Sequence, residues 1–206
     1  MIQIGQSGVQ LKTSSRIAEA IAFDLMAWWH LRSRSVKWIV PNIYVLNWFE
    51  ADVCAIRTPG LIDEFEIKIS RSDFLADAKK RDKFGDNRKT KHERLAAGVD
   101  EHPLAAFWFV TPPGIIKPGE LPEFAGHIEV EFPRPGEKVR CLLSHKMKVD
   151  MASFTIVKHA PKLRRQSDEA GVAAVNSALA IMAYRYLDQL KKGYHLHKPV
   201  SRYTEE

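Results

Sequence analysis

Asp52-Val53-Cys54-Ala55-Ile56-Arg57-Thr58-Pro59-Gly60-Leu61-Ile62-Asp63-Glu64-Phe65-Glu66-Ile67-Lys68-Ile69 reads as two strands and the turn between them. Thr58-Pro59-Gly60 carries strong turn chemistry, with residues 52–57 before it and 61–69 after it. Side chains alternate across a strand, so Glu64, Glu66 and Lys68 share one face. Phe65, Ile67 and Ile69 take the other, which is the expected core face. If the two strands pair, Asp52 lies beside Glu66. Two carboxylates and an ammonium then meet on one patch.

Upstream, residues 37–46 read as a neighbouring strand, broken or placed at an edge by Pro41. Before it, 14–33 carry Ile17, Ile21, Leu25 and Trp28 at helical spacing, with Ser14 or Ser15 to cap. Downstream, a helix is expected from a Ser72 cap to about Lys83, with Asp73 at the positive end of its dipole. Gly85-Asp86-Asn87 reads as a loop, and 92–98 resume the helix. The apolar run 104–111 fits a strand covered on both faces. Short strands are expected at 127–132, 139–144 and 154–157. A long helix at 167–192 begins at Ser167 and stops at Gly193.

This order predicts an α/β fold: a mixed central sheet flanked by helices, its first three strands consecutive, with C-terminal strands and a long helix added. The organisation expected is one domain over 1–160, and a helix and tail over 161–206 packed on that domain or on a partner. The helix is apolar around much of its circumference, so it must be buried, in its own domain or in a homo-oligomer interface.

The chain has 206 residues, 45% of them hydrophobic and 27% charged, which suits a globular core. No run approaches the length of a membrane span, the first residues lack a signal-peptide pattern, and Cys54 and Cys141 read as buried reduced thiols. A cytoplasmic protein is the expectation. The formal net charge is +6, and eight basic residues stand against three acidic ones between Lys79 and Arg94. That excess favours a polyanionic partner, DNA, over a membrane.

Two carboxylates on adjacent strands suit magnesium, a hard cation that takes oxygen ligands in octahedral geometry; manganese is the alternative. Asp52, Glu66 and a third-strand carbonyl, that of Ile67, supply the protein's share. Lys68 can position an attacking water or steady the charge on a phosphate. Asp52, then Glu66-Ile67-Lys68 14 residues later, within the element order of residues 15–111, resembles the PD-(D/E)XK nuclease superfamily. The stretch Glu66-Ile67-Lys68-Ile69-Ser70-Arg71-Ser72-Asp73-Phe74-Leu75-Ala76-Asp77 resembles the MmcB-like DNA-repair proteins and related phage-encoded members. The resemblance implies a restriction-endonuclease-like αβββαβ core and Mg²⁺-dependent phosphodiester hydrolysis, in DNA repair, recombination or phage DNA processing. Asp52, Glu66 and Lys68 stand at the motif positions, and Ala51 stands where the family's proline would be. Members often add an acid from the first helix, here Glu19.

Several residues admit a plainer reading. An acid-x-Lys triplet is usually a solvated sheet face, and Glu64 and Glu50 are either auxiliary ligands or exposed bystanders. The basic run is either a solvated helix face or a phosphate contact. Within it Lys79, Lys80 and above all Lys91 are the expected DNA contacts, with Ser70 and Arg71 nearer the metal. Trp28, Trp29, Trp38 and Trp48 are expected in the core rather than in a base-stacking platform. A non-catalytic nucleic-acid-binding module on the same scaffold is the competing function.

Overall fold

The computed structural model describes residues 14–44, 48–58, 60–81, 89–98, 102–131, 152–164 and 169–196. Helix α1 (Ser14–Arg32) leads into β1 (Val36–Tyr44), β2 (Glu50–Arg57) and β3 (Leu61–Ile67). Two short helices follow, α2 (Arg71–Asp77) and α3 (Lys91–Ala97), then β4 (Leu104–Thr111), β5 (Ala125–Glu131), β6 (Ser153–Lys158) and α4 (Glu169–Leu196). Among the described residues the strands form one six-stranded sheet in the order β1-β2-β3-β4-β5-β6.

The first three strands are an antiparallel meander, as their short links require. Gly60 turns the chain between β2 and β3 at φ 108°, a region that side chains with a Cβ rarely enter. Pro41 pairs with Val53 from the edge strand β1, where a missing N–H leaves no gap in the sheet. From β3 to β4 the sheet turns parallel, which demands a crossover, and α2 and α3 supply it. β4 and β5 are also parallel, and β6 closes the sheet antiparallel to β5.

Both faces of the sheet are covered. On one, Ile21, Leu25 and Trp29 of α1 pack on Val53, Phe65, Ile67, Trp108 and Val110. On the other, Phe74 of α2, Leu95 of α3 and Ala178 of α4 pack with Cys54, Ile56, Phe107 and Phe109. α4 thus buries part of itself in this core, and Arg185 donates to the carbonyls of Pro41 and Asn42. No described helix is long and apolar enough to cross a membrane.

Several local readings need correction. Ser70, not Ser72, caps α2, accepting the Asp73 N–H at 3.2 Å, and the helix ends at Asp77 rather than near Lys83. α3 is a helix of its own, opened by a capping box between Thr90 and Glu93. α4 runs through Gly193 to Leu196, because a glycine in a helix is a cost rather than a stop when nothing else turns the chain. The strand expected at 139–144, with Cys141, lies outside the described residues, as does the tail from 197 onward.

Gly126 on β5 gives a sharp test of this packing. A Cβ there would lie 2.4 Å from Trp108 Cε3 and 2.5 Å from the backbone nitrogen of Ala160. Backbone cannot rotate away as a side-chain tip can. Gly126→Ala is therefore expected to cost about 1–3 kcal/mol, the usual range for overpacking, measured by urea unfolding. Unchanged stability would mean that the Ala160 strap does not sit on β5.

Candidate active site

β2 and β3 bring the expected residues together at one end of their ladder. Val53 pairs with Phe65, so the next position outward sets Asp52 opposite Glu66. The Ile67 N–H then donates to Asp52 Oδ2 at 2.7 Å, tying the acid of one strand to the backbone of the other. Lys68, immediately past the last residue of β3, turns its Nζ to Glu66 Oε2 at 2.9 Å.

Glu64, Glu66 and Lys68 do share a face, but it is not a solvated one. Glu64 and Glu66 are each 1% exposed and Lys68 is 6% exposed. The reason is the crossover: α2 and α3 lie over this face and bring charges of their own. Lys91, at the start of α3, is fully buried, its ammonium against both Glu64 and Glu66. Lys80 reaches Glu66 Oε1 at 3.1 Å and the Glu50 carbonyl at 3.2 Å. Asp77, the last residue of α2, lies 2.7 Å from Lys68 Nζ through Oδ1 and 2.9 Å from His92 Nε2 through Oδ2. Trp48 Nε1 donates to Glu64 Oε2 at 2.8 Å, and the rings of Phe49 and Phe107 flank the Lys91 ammonium. Arg81 and Thr90 pair as an isolated antiparallel bridge, and the Lys91 N–H donates to the Lys80 carbonyl, so the two lysines enter the site side by side.

This crowding sets the protonation states. Burial, with repulsion from Glu66 behind it, pushes the Asp52 carboxyl up to about 6. Burial pushes Glu64 up to about 7, although Lys91 opposes the shift. Glu66 is buried too, but Lys91, Lys68 and Lys80 together outweigh burial and hold it well below the usual carboxylate range. For Lys68 burial is outweighed by Glu66 and Asp77, so its ammonium keeps its proton far above neutral pH. Lys91 behaves likewise through Glu64 and Glu66. Asp77 is held ionised against its own burial, His92 and Lys68 both contributing.

The remaining expected residues fall into place differently. Lys91 was expected on a DNA-facing surface, but it is sealed beneath α3 because two buried carboxylates need a cation there. Arg71 is clamped by Glu120, Nη1 to Oε2 at 2.7 Å and Nη2 to Oε1 at 2.5 Å, and also donates to the Ile115 carbonyl at 3.1 Å. Ser70 is occupied with capping α2. Lys79 is exposed. Glu19 is exposed on α1, which packs on the sheet face opposite Asp52 and Glu66. Glu64, expected as an auxiliary ligand or an exposed bystander, is a buried member of the cluster. Asp77 and His92 went unread as site residues, although the capping box at Thr90 and Glu93 marked the helix that carries His92.

A pH test follows from Asp52. Its folded-state value near 6, against 3.8 for the free group, means the native protein binds this proton more tightly than the unfolded chain. Stability from this group is therefore present at low pH and is lost as pH rises from 3.8 to about 6. Asp52→Asn keeps an oxygen to accept the Ile67 N–H and removes the charge. In chelator, it is expected to stabilise the protein by about 1–2 kcal/mol at about pH 7.5 and to have little effect near about pH 4. Urea titrations at both pH values check this; an equal effect at the two would contradict it.

No family model matches the chain. No curated protein matches it. Among solved structures, a protein of unknown function from Silicibacter pomeroyi superposes with a TM-score of 0.52 over 90% of this chain and 96% of that one, at 20% identity. A likeness at that identity speaks to the fold alone, a mixed α/β architecture with helices flanking the sheet.

Proposed function

We propose that the chain is a magnesium-dependent nuclease that hydrolyses phosphodiester bonds in DNA. The observation that carries this reading is the convergence of Asp52, Glu66 and Lys68 where β2 and β3 meet, with Asp52 bonded to the Ile67 N–H. The order α1-β1-β2-β3-α2, with β4 parallel to β3, supports the restriction-endonuclease-like core of the PD-(D/E)XK superfamily. The resemblance to MmcB-like proteins points towards DNA repair, recombination or phage DNA processing.

The donor set fits a hard divalent cation. Four carboxylates (Asp52, Glu64, Glu66, Asp77) stand against the three ammoniums of Lys68, Lys80 and Lys91, and burial with repulsion from Glu66 leaves the Asp52 carboxylate in want of added positive charge. Asp52, Glu66 and the Ile67 carbonyl would hold the metal, with Mn²⁺ as a substitute for Mg²⁺. When bound, the ion supplies positive charge beside the scissile phosphate and acidifies water there. Lys80 is the ligand of Glu66 that can yield its place: its side chain is 34% exposed, against 8% for Lys68 and none for Lys91. Released from Glu66, Lys80 joins Lys79 on the DNA backbone. Lys68 cannot act as a base, since it holds its proton; it stabilises charge as that charge builds on the phosphate.

A second reading rests on one observation. Glu66 is 1% exposed and carries three lysines, an arrangement that also suits a nucleic-acid-binding module whose charge cluster only holds the fold. The deciding experiment incubates the full chain with labelled single-stranded, duplex, branched and damaged DNA in Mg²⁺, Mn²⁺ or chelator. Products that appear only with metal support the nuclease. DNA binding with no product under any condition overturns it in favour of the binding module.

A further inference from the structure

The nuclease reading assigns Lys68 to the reacting phosphate, and a lysine on a four-carbon stem is a poor tool unless something aims it. Glu66 Oε2 holds the ammonium from one side at 2.9 Å. From the other, Asp77 Oδ1 stands 2.7 Å away. Asp77 is itself held: His92 Nε2 lies 2.9 Å from its Oδ2, and a carboxylate can only accept there, so this nitrogen carries the proton. The His92 ring is in turn packed edge-on against Phe109 and Phe124, with centroids at 5.9 and 5.3 Å. Lys68, at the end of β3, Asp77, at the end of α2, and His92, on α3, come from three different elements.

We propose that Asp77 and His92 are positioning residues that aim the Lys68 ammonium, the aromatic wall fixing the imidazole, the imidazole fixing the carboxylate, and the carboxylate fixing the lysine. This rests on the reading of Lys68 as the residue that faces the phosphate. A purely structural ion pair would use the same atoms, so the consequences have to be separated by function. If Asp77 acts through Lys68, its loss must reduce turnover without weakening DNA binding, and must reduce nothing further once Lys68 is gone.

The experiment is a double-mutant cycle in the full chain with Mg²⁺ and a cleaved DNA substrate. Asp77→Asn is expected to lower kcat about 10–100-fold, the usual loss when a supporting partner of a reacting group is removed, with KM changed by less than about twofold. In a Lys68→Met background the same change is expected to cost nothing more. Full additivity of the two losses, or a loss confined to KM, overturns the proposal. Should Asp77→Asn fail to fold, His92→Gln runs the same cycle with a smaller expected loss in kcat. A readout independent of cleavage keeps this proposal distinct from the nuclease reading. In ¹⁵N-lysine spectra the Lys68 ammonium, caught between two carboxylates, is expected to be visible in the unmodified protein and broadened by exchange in Asp77→Asn. A signal unchanged by Asp77→Asn overturns the positioning role even if no DNA is ever cut. A lost signal with no cleavage overturns the nuclease reading, and with it the aiming role, leaving Asp77 as a structural counter-ion of Lys68.

Discussion

Lys91→Met is expected to lower the unfolding free energy by about 3–5 kcal/mol, the cost of removing one partner from a buried ion pair. Methionine keeps most of the volume between Phe49 and Phe107 and removes only the charge. What remains is the difficulty. Glu64 and Glu66 lie side by side at 1% exposure, and the ammonium between them is gone. Lys68 and Lys80 still reach Glu66, so Glu64 is the group left without a cation; it keeps the Trp48 N–H alone. Glu64 already titrates near 7, and in the variant it is driven higher and binds a proton instead. The deficit should therefore shrink as pH falls, since protonation removes the uncompensated charge. Adding Glu64→Gln to Lys91→Met is expected to restore much of the loss, because the two changes together remove a matched pair. Urea unfolding of the single and double variants at neutral and mildly acidic pH gives all three comparisons. A Lys91→Met protein as stable as the parent would show that Lys91 lies at the surface.

The contrast between what the sequence displays and what it hides follows the range of the interactions. The hairpin around Thr58-Pro59-Gly60, the pairing that sets Asp52 beside Glu66, and the span of β4 at Leu104–Thr111 all follow from neighbours in the chain. Alternation along β3 likewise puts Glu64, Glu66 and Lys68 on one face. What alternation cannot say is whether that face meets water. Here it meets α3, whose Lys91 lies 25 residues from Glu66 in sequence and in contact with it in space. A run of eight basic residues looks like a solvated or DNA-facing strip, yet one member of it is among the most deeply buried side chains of the protein. Only the acids beneath explain that, and their demand for a cation is invisible until the crossover is folded over them. Asp77 was hidden in the same way, since an aspartate within what reads as a charged helix from Ser72 to about Lys83 looks exposed until Lys68 and His92 are seen on either side of it.

On the nuclease proposal, Lys68→Met is expected to lower kcat for metal-dependent DNA cleavage by about 10²–10³-fold while leaving KM for DNA nearly unchanged, the pattern of a charge used chiefly in the transition state. The geometry gives the reason for the split. Lys68 is 6% exposed and is held by Glu66 and Asp77, so it adds little to the encounter with a long polyanion. Exposed Lys79 does the opposite: Lys79→Ala should raise KM, flatten the salt dependence of binding and leave kcat alone. Glu66→Gln goes further and should abolish cleavage, since it removes a proposed metal ligand and the anion that holds Lys68 together with Lys80 and Lys91. That variant also disturbs the fold, so Lys68→Met is the cleaner probe: Asp77 keeps His92 as its partner, and Glu66 keeps two lysines. Thermal melts should show a cooperative transition for Lys68→Met, and its DNA binding in Ca²⁺ should match the parent. Cleavage at the parental rate would exclude Lys68 from the reaction, and would leave the ammonium as a counter-ion for two buried acids.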